Sequence, residues 1–401
     1  MVSHTQQLRE SWLQDPELQE TEGQQRCLAW IGAAGTGKTS AVFHLIHTVL
    51  DMNGSVLVMC PTGKQVSLYR SMFPACRVDT IHGATGFYLS PAPPASVLAG
   101  FDLWILEEIG QVNVELFETV IRLWLESGRL ATVVCVGDFL QLPPLEATAH
   151  GTRTGDLCKV SSMWCQYVKR RILRQPLRCV DPQLQFWLDI TRVRAITLRE
   201  LRKLLHGRRF RNEGSTPSPD IFEEVIRKFP HTTIVTWSLD AAEYANDCIV
   251  SALFREASPA IMIKFAPASD ERLPVEGPLF LHQRVTLTLN LDKAAGFVNG
   301  MGGTVCHAAG CGIIILTDLG SHVWVFPWTR TDGQSFHPLR SGYAVNISKI
   351  QGETLSHLSL WLDRSHVEAA AYTALSRARH LDDIIFLGCL TPQHFQPSPH
   401  V

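Results

Sequence analysis

The 401-residue sequence lacks any run of about 18 apolar residues, the length that a membrane-spanning helix requires. It also lacks a Cys-x-x-Cys pair among its eleven cysteines, a pattern that favours reduced thiols over a disulfide framework. Residues 1–20 are polar and acidic, unlike a secretory or transit leader. We therefore expect a soluble intracellular protein without membrane contact; its compartment (nucleus, cytoplasm or mitochondrion) cannot be distinguished.

The chain has no overall excess of positive charge, since 36 Lys and Arg stand against 38 Asp and Glu, giving a net charge of −2. The charge is uneven, because residues 169–211 contain thirteen Lys and Arg but only three acidic residues. Such a segment can favour a polyanion on one face. A solvated helical surface is the equal alternative.

Short apolar runs alternate with helical stretches over most of the chain. The runs at residues 56–60, 103–106 and 132–136 are bounded by turn residues, as buried parallel strands are. The same alternation begins again at residue 232. Residues 277–337 instead hold short β-rich runs between Gly-containing turns, which predicts a small β-barrel insert. A second, proline-rich excursion near residue 90 predicts a small insert in the first domain.

A phosphate-binding loop follows the first apolar run and opens a helix. Its glycines let backbone N–H groups point at phosphate oxygens, and the helix N-terminus adds positive potential. Lys38 is expected to reach the β- and γ-phosphates, and the Thr39 hydroxyl is expected to bind Mg²⁺. The predicted nucleotide-binding residues are Gly32, Ala33, Ala34, Gly35, Thr36, Gly37, Lys38, Thr39 and Ser40.

Two adjacent carboxylates, Glu107 and Glu108, follow the apolar run at residues 103–106. In P-loop enzymes the first acid at such a position holds Mg²⁺, usually through water, and the second can polarise the attacking water. ATP and Mg²⁺ are therefore the predicted cofactors, with Thr39 and Glu107 as the metal-holding side chains.

Further blocks resemble, in order, the motifs of superfamily 1 helicases, here of the PIF/RecD/Dda-like, 5′-to-3′ branch. Residues 136–144 (VGDFLQLPP) resemble motif III, residues 349–355 (KIQGETL) motif V and residues 372–379 (YTALSRAR) motif VI. Residues 61–63 and 80–82 resemble motifs Ia and Ib, and residues 173–175 motif IV. The segment Asn299 to Gly303 (NGMGG) is typical of this branch. The resemblance extends from residue 32 to about residue 388.

The resemblance implies an α/β fold of two RecA-like P-loop NTPase domains with a small wedge insert and an SH3-like β-barrel insert. Domain 1A is expected at residues 1–160 with the wedge at about 86–100. Domain 2A is expected at residues 161–266 and 341–401, with the barrel, domain 2B, at 267–340. ATP would lie in the cleft between the two RecA-like domains.

Roles in catalysis also follow from the resemblance. Asp138 and Gln141 would sense the γ-phosphate, while Arg174 and Arg377 would act as arginine fingers from the second domain. Arg178 is a second interpretation of the motif IV arginine. The predicted catalytic residues are Lys38, Glu107, Glu108, Gln141, Arg174 and Arg377.

The resemblance places nucleic acid along the top of both domains, where hydroxyl and amide groups bind phosphates without reading bases. Phe87 or Tyr88 could stack on a base or wedge a duplex fork, and core packing is the equal alternative. The predicted nucleic-acid residues are Pro61, Thr62, Thr80, His82, Phe87, Tyr88, Asn290, Asn299, Asn346 and Ser348.

The chain departs from the family pattern at three places. Glu107 stands where the family has Asp, and its extra methylene moves the carboxylate by about 1.5 Å. Asn346 and Ser348 replace the usual Thr and His, and Glu353 replaces an uncharged residue. Gln24 and Gln25 lie closer to Gly32 than the family's adenine-contacting glutamine.

These patterns predict an ATP-dependent DNA helicase, a monomeric motor on single-stranded DNA that unwinds duplex or fork junctions in replication, repair or recombination. Replication or repair proteins are possible binding partners. Two alternatives remain open: a viral-type superfamily 1 RNA helicase, and a catalytically weakened subunit that binds nucleotide and DNA. A simple P-loop kinase has no use for motifs III, V and VI.

Overall fold

The structure is a computed structural model that describes residues 26–87, 95–148, 151–174, 181–210, 214–267, 272–293, 295–310 and 312–400. Tyr88, Arg178, Gln24 and Gln25, which the sequence singled out, lie outside these residues. In the described part of the chain, no helix combines the length and the apolar character needed to cross a membrane.

The N-terminal lobe is built on a six-stranded sheet in the order β3-β2-β4-β5-β1-β8, with all its strands parallel. Its central strands are buried on both faces, as their uninterrupted apolar sequences predict. The strands of this lobe are β1 (Cys27–Gly32), β2 (Val56–Cys60), β3 (Arg77–Thr80), β4 (Leu103–Leu106), β5 (Thr132–Gly137), the hairpin β6 (Leu145–Thr148) and β7 (Gly151–Thr154), and β8 (Lys169–Leu173).

Helices cover the two faces of this sheet. The helices are α1 (Lys38–Asp51), α2 (Gly63–Met72), α3 (Ile81–Thr85), α4 (Val114–Glu126) and α5 (Ser162–Tyr167). Side chains cap several of them: Thr62 accepts from the Gln65 backbone N–H, and Asn113 accepts from that of Leu116. Of the predicted wedge insert at residues 86–100, the described part contains a single 3₁₀ turn, Ala95–Val97.

The second lobe contains a four-stranded parallel sheet in the order β19-β9-β20-β21. Its strands are β9 (Thr233–Thr236), β19 (Ala344–Asn346), β20 (Leu358–Trp361) and β21 (Ile384–Phe386). Its helices are α6 (Pro182–Val193), α7 (Leu198–Leu205), α8 (Pro219–Lys228), α9 (Leu239–Leu253) and α10 (Ala370–Leu375). Further 3₁₀ turns in the chain are Ile109–Gln111, Cys158–Val160, Ile347–Ile350, Leu381–Asp383 and Pro392–His394.

Between β9 and β19 the chain forms the predicted β-rich insert. Five strands make an antiparallel sheet in the order β15-β14-β13-β12-β18. The insert strands are β10 (Ile261–Phe265), β11 (Val275–Leu279), β12 (Arg284–Leu287), β13 (Gly302–Ala309), β14 (Gly312–Thr317), β15 (His322–Val325), β16 (Trp328–Thr329), β17 (Ser335–Phe336) and β18 (Leu339–Ser341). Ile263 and Leu279 of the β10–β11 hairpin belong to the core of this insert, so the hairpin joins it before the expected boundary at residue 267.

Strand β8 corrects the expected division of the chain. Residues 169–173 were assigned to the second domain, but they pair in parallel with β1, from Leu28 with Lys169 to Gly32 with Leu173. The first sheet therefore extends past residue 160 and takes its edge strand from the segment that leads into the second lobe. The alternating exposure of β8, which is typical of an edge strand, is the physical reason that its sequence did not read as a buried core strand.

Asn246 on α9 fixes the edge strand of the second sheet. The side chain is buried; its Oδ1 accepts from the backbone N–H groups of Tyr343 and Ala344 at 2.9 Å, and its Nδ2 donates to the Ala344 carbonyl at 2.9 Å. Because β19 pairs with β9 on one side only, this amide satisfies the backbone groups on its other side.

We expect Asn246→Leu to lower the free energy of unfolding by roughly 3 kcal/mol or more, since three buried backbone groups lose their partner. Urea denaturation followed by tryptophan fluorescence measures this. Asp247→Asn, on the exposed face of the same helix, is the matched control and should change stability by less than about 0.5 kcal/mol. An equal effect of the two substitutions would contradict the role of the Asn246 amide.

Candidate functional site

The phosphate-binding loop lies between β1 and α1, as its sequence predicts. Gly37 has a φ of 79° directly before α1, a conformation that side chains disfavour. A Cβ on Gly32 would lie 2.6 Å from the Leu173 carbonyl oxygen and 2.7 Å from the Thr36 hydroxyl, so only glycine fits beside β8. Thr36 is buried and donates to the Ala33 carbonyl at 2.9 Å. The loop is therefore held open as a cradle of backbone N–H groups at a helix N-terminus, which fits a phosphate.

Lys38 points back into this loop, where its Nζ donates to the carbonyls of Gly32 and Ala33 at 2.7 Å. Burial lowers the pKa of the Lys38 ammonium, and the nearby carboxylates of Asp138 and Glu108 act in the opposite direction. An ammonium beside a row of backbone donors is the combination that binds a nucleotide's terminal phosphates.

The loop forms one wall of a pocket, and the second lobe forms the other. Fifteen residues line it. They come from the phosphate-binding loop, from the segments that follow β4 and β5, from α6, and from the motif V and VI segments. They are Ala34, Gly35, Gly37, Lys38, Thr39, Glu108, Gln141, Leu188, Gly352, Glu353, Thr354, Ser376, Arg377, Ala378 and Arg379. The pocket thus brings together loop residues and motif residues that lie more than 300 positions apart in the chain.

The two adjacent carboxylates occupy different environments. Glu108 adopts a left-handed conformation with φ of 47° and lines the pocket. Glu107 is buried beneath it, and its carboxylate accepts a hydrogen bond from the Tyr69 hydroxyl on α2. Burial raises the pKa of Glu107 to about 7, although the Tyr69 hydrogen bond opposes this rise. Of the two predicted carboxylates, Glu108 is the one that faces the pocket.

Arg377 reaches the first lobe from the end of α10. Its Nη2 donates to Gln141 Oε1 at 3.2 Å, its Nη1 to the Glu353 carbonyl at 3.4 Å, and its Nε to the Thr373 carbonyl at 3.1 Å. Both Arg377 and Gln141 are buried in this contact. The guanidinium is thereby fixed at the wall of the pocket opposite the phosphate-binding loop.

Arg174 has a different position from the one expected. It is exposed at the end of β8, in the first lobe's sheet, and does not belong to the pocket lining given above. The expectation that it comes from the second domain is wrong, because β8 pairs with β1. It nevertheless follows Leu173, which is the neighbour of Gly32 in the sheet.

Asp138 is the centre of a group of hydrogen bonds, here called the hub. The sequence predicted only that this residue senses the γ-phosphate. This buried carboxylate accepts from the Tyr372 hydroxyl at 2.7 Å, from Arg192 Nη2 at 2.9 Å and from the Leu140 backbone N–H at 3.1 Å. Tyr372 and Arg192 belong to the second lobe. Burial and the Asp138 carboxylate raise the pKa of Tyr372 well above its usual value, so its hydroxyl stays protonated and donates.

The Tyr372 hydroxyl also contacts the phosphate-binding loop, since it accepts from the Ala34 backbone N–H at 3.1 Å. One hydroxyl therefore joins the loop, the motif III carboxylate and the motif VI helix. The signal that could have identified it was its place at the start of motif VI; nothing in the sequence shows that it crosses to the first lobe. Arg192 lies in none of the sequence motifs described above.

Lys64 and Glu353 form a further contact between the lobes, an ion pair of 2.8 Å. Lys64 lies in the first turn of α2, beside the predicted nucleic-acid residues Pro61 and Thr62, and Glu353 lines the pocket. Glu353, the acid that is unusual in motif V, thus has a specific partner in Lys64. Comparison of the sequence with the family pattern could not identify this partner.

The predicted nucleic-acid residues gather at the carboxyl ends of parallel strands. Pro61 and Thr62 follow β2, Thr80 ends β3 and caps α3, and Asn346 ends β19. Ser348 lies in the 3₁₀ turn after β19. The Oδ1 atom of Asn346 is buried without a hydrogen-bond partner among the described residues.

The insert completes this surface through residues 290–293 and 295–299. Asn290 Oδ1 accepts from the Asn299 backbone N–H at 2.9 Å, and Asn299 Oδ1 accepts from Lys349 at 3.3 Å. A Cβ on Gly63 would lie 2.8 Å from Asn290 Oδ1, so Asn290 rests on the start of α2. Lys293 pairs with Asp79 of the first lobe at 2.8 Å.

His82 and Phe87 contact each other edge to face, with ring centroids 5.5 Å apart. Phe87 also packs against the core of the first lobe. Burial lowers the pKa of His82, which favours its neutral form. These contacts are those of the core-packing alternative for Phe87.

We expect Tyr372→Phe to lower the free energy of unfolding by about 2–3 kcal/mol, because Asp138 loses a charge-assisted hydrogen bond and the Ala34 N–H loses its acceptor. Thermal and urea denaturation measure the change. Tyr244→Phe is the matched control, since the Tyr244 side chain is 37% exposed and its hydroxyl donates a long hydrogen bond of 3.3 Å to the Pro217 carbonyl; the substitution should cost less than about 1 kcal/mol. Comparable losses in both variants would contradict the hub.

Comparisons with known proteins agree with this geometry. A sequence profile of the AAA domain family matches residues 14–159. The human ATP-dependent DNA helicase PIF1 is 27% identical over 395 residues, which cover 88% of this chain and 57% of the human protein. The Pif1 helicase of Bdellovibrio bacteriovorus is 27% identical over 268 residues, covering 64% of this chain and 58% of that protein. The chain spans little more than half the length of these relatives.

Two solved structures share the fold. The Pif1 helicase from Bacteroides in complex with ADP-AlF3 and single-stranded DNA has a TM-score of 0.71 at 20% identity, covering 98% of this chain and 94% of that one. The Pif1 helicase from Candida albicans has a TM-score of 0.67 at 18% identity, covering 100% and 97%. The predicted class of two RecA-like α/β domains is therefore confirmed, and the sequence of the chain is similar to those of the PIF1 helicases.

Proposed function

We propose that this chain is an ATP-dependent DNA helicase that moves along single-stranded DNA and separates duplex or forked DNA. The observation that carries the proposal is the pocket between the lobes. Its first wall is a phosphate-binding loop, and its second wall presents the buried guanidinium of Arg377. Relatives with these sequence features are named as ATP-dependent DNA helicases, and a Bacteroides neighbour is described as bound to single-stranded DNA.

In this proposal the phosphate-binding loop and Lys38 bind the phosphates of ATP. Thr39 and Glu108, which line the pocket, hold Mg²⁺, which would neutralise phosphate charge when bound. Arg377 supplies a planar set of donors to the charge that develops on the transferred phosphoryl group; comparable arginines contribute about 10³–10⁵ in rate. Arg174, which follows the Gly32 neighbour Leu173 at the end of β8, is a second candidate for this role.

Nucleotide and DNA sites are coupled because the same elements serve both. Lys64 follows the predicted DNA-binding residue Thr62, and its partner Glu353 lines the pocket. Gln141 and Arg377 hold the lobes together directly across that pocket. A change at the terminal phosphate therefore alters contacts that set the distance between the two halves of the DNA surface. The 5′-to-3′ direction is proposed on the family resemblance alone.

Hydrolysis of ATP with and without single-stranded DNA tests the proposal. We expect the rate to rise about tenfold or more with DNA and to fall to background in Lys38→Ala, since the loop loses its ammonium. Lys264→Ala, at an exposed position on β10 of the insert, is the matched control and should retain activity. A rate near background with DNA, while nucleotide still binds, would contradict the proposal. Competition between DNA and RNA strands of equal sequence separates it from an RNA helicase.

A second candidate function, that of a catalytically weakened subunit, is favoured by the position of Glu107. Its carboxylate is buried and engaged by the Tyr69 hydroxyl, whereas Glu108 lines the pocket. A carboxylate that remains in this contact would contribute little to holding a metal ion.

Two substitutions at this contact distinguish the candidates. Glu107→Asp shortens the side chain by about 1.5 Å and removes it from Tyr69, whereas Tyr69→Phe frees the carboxylate without changing its length. If the chain is a working motor, as we expect, neither substitution raises the DNA-stimulated rate more than about threefold. A rise of tenfold or more in either variant would establish the weakened subunit.

A further inference from the structure

Apart from Arg174 and Arg192, the basic residues of segment 169–211 have no place in the pocket or in the predicted DNA surface. Its described part runs through α6 and α7 into residues 208–210, which pair with β21: the Phe210 N–H donates to the Phe386 carbonyl at 3.0 Å, and the Phe386 N–H donates to the Arg208 carbonyl at 2.8 Å. Residues 208–210 thus add to the β21 edge of the second sheet. The predicted DNA residue Asn346 lies on β19, at the opposite edge.

Four strand spacings separate these two edges, or about 19 Å at 4.8 Å per strand. The basic surface at the β21 edge is therefore separate from the DNA surface at the β19 edge. We refer to this region, formed by Phe186, Arg199, Arg202, Lys203 and Arg208, as the β21-edge surface.

Three of the four cations of the β21-edge surface are available for an anionic partner, and the fourth, Arg208, pairs with Asp382. Arg199, Arg202 and Lys203 are exposed and share one face of α7, because they are spaced by three and four residues. Two acidic groups nearby are engaged, since Glu200 pairs with Arg194 at 2.7 Å and Asp382 pairs with Arg208 at 2.6 Å, while Asp189 on α6 is exposed. Positive charge consequently remains in excess on this face.

An exposed aromatic ring lies beside two of these cations, Lys203 and Arg208. Phe186 on α6 is 54% exposed and contacts Trp187 edge to face at 5.0 Å. A cleft beside it is lined by Pro182, Gln183, Phe186, Trp187, Lys203, Arg208 and Leu381. The Nε of Arg208 is buried there without a hydrogen-bond partner in the described structure. An exposed ring with guanidinium and ammonium groups around it can stack a base and bind the phosphates on either side.

We propose that the β21-edge surface is a second binding site for single-stranded nucleic acid, with a base on Phe186 and phosphates on Arg199, Arg202 and Lys203. An acidic protein segment shares the negative charge but offers no flat base for the exposed ring. The inference rests on the proposed function, because it gives the motor's substrate a second contact at the opposite edge of the second sheet from Asn346.

Binding of oligonucleotides of two lengths over a range of salt concentrations tests the site. The chain with Arg199→Gln, Arg202→Gln and Lys203→Gln should bind a strand of about 40 nucleotides at least tenfold more weakly at low salt. Its salt slope should fall by about 2, since each lost phosphate contact removes about 0.7. An oligonucleotide of about eight nucleotides, within the ~4–16 that single-strand binding folds cover, should bind as before, because it fills only the first surface.

Phe186→Ala provides an independent measurement. Loss of one stacked base should weaken binding of the long strand by roughly five- to a hundredfold while leaving the salt slope unchanged. The matched control carries Arg227→Gln, Arg255→Gln and Lys264→Gln, which remove three exposed cations elsewhere on the chain. It should bind both oligonucleotides like the parent.

The outcomes separate this inference from the proposed function. If the parent chain binds neither oligonucleotide, the proposed function itself fails. If the glutamine variant binds the long strand as the parent does, or loses affinity for both lengths equally, the second site is overturned. If the parent binds labelled poly-glutamate and the glutamine variant does not, while both bind DNA with equal affinity, the second site is overturned in favour of an acidic protein partner.

Discussion

A buried carboxylate at the interface of two lobes must be neutralised by partners, because an isolated charge away from water is strongly unfavourable. Asp138 is such a carboxylate, and two of its partners, Tyr372 and Arg192, come from the second lobe. The first lobe therefore cannot satisfy its own motif III loop, and the approach of the second lobe completes it. The pocket exists in this form because that electrostatic requirement brings α6 and α10 against the phosphate-binding loop.

The same requirement explains how a chemical event in the pocket could reach a surface some distance away. The Tyr372 hydroxyl contacts both Asp138 and the Ala34 N–H, so the phosphate-binding loop and the second lobe share one hydrogen-bonded group. Lys64 and Glu353 repeat this arrangement on the side of the predicted DNA residues. Interfaces of this kind have few alternative arrangements, and a small displacement at the phosphate therefore moves whole elements.

The insert contributes to the same surface by an independent route. Asn290 and Val298 of the insert rest on Gly63, and Lys293 pairs with Asp79, so the insert contacts the first lobe although the chain enters it from the second. The two lobes and the insert thus meet at the carboxyl ends of β2, β3 and β19. This convergence fits a surface that holds a polymer by backbone contacts from several sides.

The sequence by itself determined the elements whose causes are local. Uninterrupted apolar runs predicted the central strands, and the glycines of the phosphate-binding loop predicted its conformation, because both depend on neighbouring residues. Its motifs also singled out Lys38, Thr39, Glu108, Gln141 and Arg377, and these five residues line one pocket. Only the tertiary structure decided that β8 belongs to the first sheet, that Glu107 is engaged by Tyr69, and that Glu353 pairs with Lys64. Each of those facts depends on two residues far apart in the chain, and the distance between such residues is set by packing and not by any pattern in the sequence.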